Sequence, residues 1–142
     1  MDEDELKRRT KRFALRVIKL VAALPKTVEG RTIGNQLVRA GTSVGANYRA
    51  ACRARSKAEF ISRLGVVEEE ADESEYWMEL IIDGGLMKAE LVDPLRIEAH
   101  ELVAIMTSSR ISAAKSEQLA RKEIELRKLA AIKNQKSKVK NH

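Results

Sequence analysis

The side chains best placed for chemistry in this sequence are guanidinium and ammonium groups. Arg49 and Arg53 stand four residues apart, and Arg55 and Lys57 follow closely. On a helix the first two share a face. A row of planar guanidinium forks suits phosphate or carboxylate oxygens, which accept two parallel N–H bonds. A second basic set, Arg121, Lys122, Arg127 and Lys128, lies in the last part of the chain. Groups of this kind bind anions; by themselves they do not turn over a substrate.

The other reactive residues do not form a set. The histidines are His100 and the terminal His142, and no second His or Cys stands at ligand spacing from His100. A structural zinc needs four such ligands. The acidic run Glu68-Glu69-Glu70-Ala71-Asp72-Glu73 supplies carboxylates, but no His follows any of these Glu residues by three positions. Di-metal bundles rely on that Glu-x-x-His spacing. Gly34, Gly41 and Gly45 are not followed by Gly-Lys-Ser/Thr, so no phosphate loop is present. Cys52 is the one cysteine, which excludes an intramolecular disulfide and reads as a small buried hydrophobe. The expectation is a protein that is not an enzyme and needs neither cofactor nor metal.

These groups sit in a strongly patterned charge distribution. Residues 1–57 carry 14 basic and 5 acidic side chains, residues 58–101 carry 3 and 13, and residues 102–142 carry 10 and 3. The net +6 therefore conceals a basic, an acidic and a basic block. Such a chain can neutralise itself by packing unlike helices, neutralise a symmetric neighbour, or bind a polyanion. On the first reading Arg49 and Arg53 pair with the acidic third helix; on the last they face a phosphate backbone.

Helices must position all of this. Ala, Leu, Ile, Val, Glu, Lys and Arg dominate, and only Pro25 and Pro94 interrupt 142 residues. Phe13, Val17, Leu20 and Leu24 recur at helical spacing over residues 5–23, and Pro25 closes that segment. Lys26–Gly30 reads as a loop. A second helix opens near Arg31–Thr32, with Ile33, Leu37, Val44, Tyr48 and Ala51 on its stripe. Its three glycines point to close packing rather than a kink, because Ala40, Ser43, Ala46 and Ala50 are also small. Asn47 borders the stripe, where a buried amide fixes register between helices. Ser56-Lys57-Ala58-Glu59 is a capping box, and Gly84-Gly85 ends the third helix. Asp93-Pro94 reads as the start of the fourth. Residues 117–134 look helical with a thin apolar pattern, and 135–142 read as a disordered basic tail. The expectation is an all-α, antiparallel up-down-up-down four-helix bundle over residues 1–116, with a basic C-terminal extension over 117–142. No apolar run reaches membrane-span length and the N-terminus is charged, so a cytoplasmic protein is expected.

Three segments, taken together, carry a family resemblance. They are Leu37–Tyr48 (LVRAGTSVGANY), Ala54–Phe60 (ARSKAEF) and Glu75-Tyr76-Trp77. The chain resembles, over about residues 10–110, the four-helix-bundle proteins encoded in intervening sequences of bacterial large-subunit ribosomal RNA genes. The resemblance implies a homopentamer. It also implies kinship with the accessory proteins of diversity-generating retroelements, which bind nucleic acid and a reverse transcriptase through a basic surface. The matching motif residues are Arg39, Ser43, Asn47, Arg55, Ser56, Phe60, Glu75 and Trp77. Most of them read as architecture: a cap at Ser56, core at Phe60 and Trp77, and a polar network at Arg39, Ser43 and Asn47. Many members carry an acidic-Gly pair soon after the Asn; Arg49-Ala50-Ala51 stands there instead and makes this face more basic. The functional expectation is an oligomeric adaptor that binds RNA or DNA through phosphates. The alternative is a protein-interaction or assembly module whose charge blocks serve subunit packing and docking of a protein partner.

Overall fold

Three side-chain caps set the first three helix starts. The Asp2 carboxylate accepts from the Glu5 amide at 2.8 Å and opens α1, Glu3–Ala22. The Thr27 hydroxyl accepts from the Gly30 amide at 3.1 Å and opens α2, Val28–Cys52. The Ser56 hydroxyl accepts from the Glu59 amide at 3.1 Å and opens α3, Lys57–Asp83. Each satisfies an amide that has no partner within its helix. The fourth helix, α4, spans Ala89–Lys140 and starts after Lys88 without a side-chain cap. This computed structural model describes residues 1–141, so His142 lies outside the described residues.

The architecture is an all-α four-helix bundle. Neighbours along the chain pack side by side, and a thinner α1/α4 contact closes the ring. Among the described residues the backbones of the diagonal pairs stay more than 8 Å apart between Cα atoms. Short connections at 23–27, 53–56 and 84–88 force successive helices to run antiparallel. The core is mainly aliphatic, with Phe13 and Tyr48 as its buried aromatics: Phe13 and Val17, Leu37 and Val44, Leu64, Val67, Met78 and Ile81, Leu102 and Met106 are all essentially inaccessible. Large buried side chains of this kind each contribute about 1.5–3 kcal/mol.

Glycine sets the α1/α2 approach. A Cβ at Gly41 would lie 2.8 Å from both Val17 methyls, and α2 runs unbroken through it. Close packing, not a kink, explains the glycines. A Cβ at Gly30 would lie 2.1 Å from the Pro25 carbonyl oxygen, so the α1–α2 turn tolerates no side chain there.

Three boundaries differ from the sequence reading. The segment 26–30 is not all loop: Thr27 caps α2, which begins three residues before the expected Arg31. Asp93-Pro94 does not start α4 but lies inside it, one turn after Ala89. There the missing proline N–H removes a single bond near the helix start, which is tolerated. Asp93 instead accepts from the Arg96 guanidinium at 2.7 Å. Finally, the tail expected to be disordered over 135–142 is helical as far as Lys140. No Gly or Pro follows Pro94. Alanines and Glu-to-Arg pairs at i,i+4 (Glu117–Arg121, Glu123–Arg127) favour continuation. Residues 118–141 are all exposed, so about 35 Å of single helix projects past the bundle at 1.5 Å per residue.

Candidate nucleic-acid interface

The antiparallel pairing of α1 and α2 brings two basic rows to one groove. Lys7, Arg8 and Lys11 come from α1; Arg49 and the helix-capping Arg53 come from the end of α2. Ala14, Thr42, Gly45 and Ala46 floor it, and the open volume is about 560 Å³. The small floor lets a ligand backbone come close to the helices. Close approach of the helices here rests on Gly45, where a Cβ would stand 3.3 Å from the Thr10 hydroxyl. That hydroxyl is buried but donates to the Leu6 carbonyl at 2.9 Å.

Among the described residues no carboxylate lines the groove. Lys7 pairs with Glu3 at 2.9 Å on the rim. Among the described residues, Arg8, Lys11, Arg49 and Arg53 enter no salt bridge. The expected pairing of Arg49 and Arg53 with the acidic third helix is therefore absent. The reason is topological: their flank of α2 faces α1, and the α3 carboxylates that are paired, Glu68 and Glu75, meet α4. Glu68 accepts from Arg110 at 2.7 Å, which holds its carboxyl below the ordinary value of 4.5. The motif residue Glu75 is buried; Arg96 approaches it at 3.3 Å and His100 Nδ1 at 3.1 Å. Glu70 lies near Arg39 without a salt bridge, and burial raises its pKa.

The other candidates fall around the same end of the bundle. Arg55 and Lys57 are exposed in and just after the α2–α3 connection, beside the groove but not lining it. The Arg55 amide donates to the Glu59 carboxylate at 3.1 Å, which completes the cap of α3. Arg121 and Arg127 are held by Glu117 and Glu123 of their own helix, at 3.1 and 2.6 Å. Lys122 and Lys128 are exposed on the projecting part of α4.

The motif residues are architectural, with two changes of detail. Asn47 is half-buried and donates to the Ser43 carbonyl at 2.8 Å; Ser43 donates to the Arg39 carbonyl at 2.6 Å. The Arg39 guanidinium donates to Gln36 at 2.8 Å. The expected polar network is thus a ladder along α2 itself, and Asn47 makes no hydrogen bond across helices. Phe60 and Trp77 are half-buried and pack against the core rather than within it. Trp77 Nε1 donates to Glu73 at 3.2 Å, while Tyr76 points outward. Cys52 is half-buried too, and burial raises its thiol pKa.

Lys7, Arg8 and Lys11 were not picked out by the sequence. Their basic character was visible, but α1 is basic on every side except its apolar stripe. Only the glycine positions on α2 indicate which flank of α1 comes close. Arg9, one residue away, does something different. It bonds Glu98 at 2.6 and 2.8 Å and Glu101 at 2.6 Å, tying α1 to α4. Among the described residues no three His, Cys, Asp or Glu side chains form a metal-binding group, and no helix is long and apolar enough to cross a membrane.

Comparison with known proteins bears on the bundle and not on the extension. A search of curated proteins finds no match. A crystal structure from Bacteroides thetaiotaomicron, of a protein with unknown function from the S23 ribosomal protein family, is similar at 32% identity and a TM-score of 0.70. The similarity covers 78% of this chain and 98% of that one. A family profile described as 23S rRNA-intervening sequence protein matches residues 3–108. The helices, the motif residues and this match agree, and the chain belongs to the 23S rRNA-intervening sequence protein family.

Proposed function

We propose that the protein is a non-enzymatic, oligomeric adaptor that grips the phosphate backbone of RNA or DNA in the α1/α2 groove. The observation that carries this reading is the set of four cationic side chains in the groove, Arg8, Lys11, Arg49 and Arg53, none of which enters a salt bridge among the described residues. Unpaired cations converging on a small-residue floor form an anion site, and two rows of them suit a chain of phosphates better than a single ion. No aromatic side chain lines the groove, so bases are not stacked there and recognition goes through the backbone. Arg55 and Lys57 at the same end extend the field. Exposed Lys122 and Lys128, and Arg121 and Arg127 beside their own glutamates, extend it along α4. The family's name associates its members with ribosomal RNA genes, and the motif resemblance supports a homopentamer, in which grooves repeated around a ring would add their affinities.

The test is a binding titration with an RNA and a DNA oligonucleotide of unrelated sequence, comparing the full chain with Arg49→Ala/Arg53→Ala. Binding of both probes, weakened by salt and by the double substitution, supports the reading. Equal binding by the double variant would remove the groove from it.

A further inference from the structure

Two helix faces in this chain are exposed, unpartnered and matched to each other. The first is the outer stripe of α3. Ser62, Gly65, Glu69, Asp72, Tyr76 and Glu79 recur at spacings of three and four, on the side away from the core. All are exposed except half-buried Gly65. Among the described residues, Glu69, Asp72 and Glu79 enter no salt bridge. Tyr76 is 52% exposed. The second face lies on the projecting part of α4. Leu119, Lys122, Leu126, Leu129, Lys133 and Lys136 follow the same alternation, and all are exposed. Such a repeat keeps one seam facing a partner helix along its length.

We propose that the C-terminal half of α4 is a clasp that lies along the acidic outer face of α3 in a second copy of this chain. Charge and size grade the same way along both seams. With Leu126 beside Ser62 and the helices running in the same direction, Leu129 meets Gly65, and Lys133 and Lys136 meet Glu69 and Asp72. Leucines then cover small residues, and lysines face unpaired acids. Run in the opposite direction, Leu126 falls against Glu79 when the lysines meet the acids. The lengths also agree: α3 has 27 residues and the part of α4 beyond Ser116 that is helical is of nearly the same length.

The occupant must be another molecule. α4 is uninterrupted from Ala89 to Lys140, so it carries the seam away from its own bundle. Two extensions do not suit each other, because residues 127–140 carry six basic and no acidic side chains. A nucleic acid would leave Leu126 and Leu129, the leucines this register covers, exposed at 54% or more. The parallel direction also closes the contact. α3 starts at the end of the bundle where α4 leaves it and runs back the other way. A partner whose α3 parallels the clasp is therefore inverted, and its own clasp returns along the first copy's α3. The result is a two-fold pair with both contacts made at once, as closed symmetric assemblies require. Of the α4 cations named for the proposed function Lys122 lies on the seam, Arg121, Arg127 and Lys128 lie off it, and the α1/α2 groove is untouched.

Light scattering on the full chain tests this with charge exchange. Lys133→Glu/Lys136→Glu and Glu69→Lys/Asp72→Lys change only exposed positions. Each double variant alone is expected to show about half the wild-type mass, a single ring of the proposed homopentamer where the wild type is a two-fold pair of such rings. Mixing the two, or combining all four substitutions in one chain, restores the wild-type mass. Salt has the same effect as the single variants, with the mass falling between about 0.1 M and about 1 M as the Debye length contracts from about 10 Å to about 3 Å. The proposal is overturned if either double variant keeps the wild-type mass, if mixing fails to restore it, or if the wild type grows without limit instead of doubling.

Discussion

At the scale of single residues, the bundle rests on caps, close contacts and a few shielded ion pairs. Arg9 is the pair with a measurable signature. Its hydrogen bonds hold the Glu98 carboxyl below the ordinary 4.5, with burial opposing them. A carboxyl whose folded pKa is depressed stabilises the fold above its unfolded pKa, and that contribution is lost as pH falls through the depressed value. Arg9→Ala is therefore expected to cost about 1–2 kcal/mol at neutral pH, after a discount for partial exposure. The difference from wild type should shrink below about pH 4 in denaturant melts. Gly30→Ala places a methyl against a backbone oxygen that cannot swing aside. A loss of about 2 kcal/mol or more is expected in the same assay, within the range for overpacked sites. Residue-scale sequence reading succeeds where chemistry is local, as with Ser56, whose hydroxyl caps the Glu59 amide as the spacing implies, although the Glu59 carboxylate reaches back to the Arg55 amide, one residue before the Ser56 amide of a full capping box. It fails where the partner is remote. The sequence marks Glu75 as a motif residue; its partners Arg96 and His100 come from α4 and were not legible.

At the scale of elements, the apolar periods of all four helices are legible, and so is the meaning of the α2 glycines. The starts of α2 and α4 are not, for physical reasons. Thr27 caps a helix whose first turn, Val28-Glu29-Gly30, lacks an apolar stripe because it lies at the end of the bundle. Asp93-Pro94 has the composition of a helix start, but Val92, fully buried one residue earlier, anchors the preceding turn. The extension misleads differently. Its apolar residues are sparse because they do not face this bundle, and helix continuity there rests on local propensity and i,i+4 pairs. A chain ending at Ser116 is accordingly expected to melt cooperatively, with helical circular dichroism reduced roughly in proportion to the turns removed. A collapse of the bundle on truncation would mean that the extension supports the fold.

At the scale of the whole molecule, the basic and acidic blocks of the sequence acquire separate places. The unpaired cations of α1 and α2 gather in one groove at the end from which α4 departs, while the free acids of α3 form an outer stripe away from it. The simple expectation that unlike helices neutralise one another holds only in part: α3 pairs with α4, and α1 reaches α4 through Arg9. What remains unpaired is what a partner can use. Sequence shows the blocks, but the neighbour of each flank depends on the packing order of the helices, and the choice between groove and α3 as the place of Arg49 and Arg53 was not readable from it.

The measurement closest to the central claim is the salt dependence of oligonucleotide binding, made on the full chain and on Arg49→Ala/Arg53→Ala. With four groove cations neutralising phosphates, log K should fall against log salt with a slope of about −3 for a single strand and about −4 for a duplex. The double variant should bind more weakly and reduce that slope by about 1.5–2. A slope near zero, or a variant whose affinity and slope match the wild type, would contradict the assignment of the α1/α2 groove as a nucleic-acid interface.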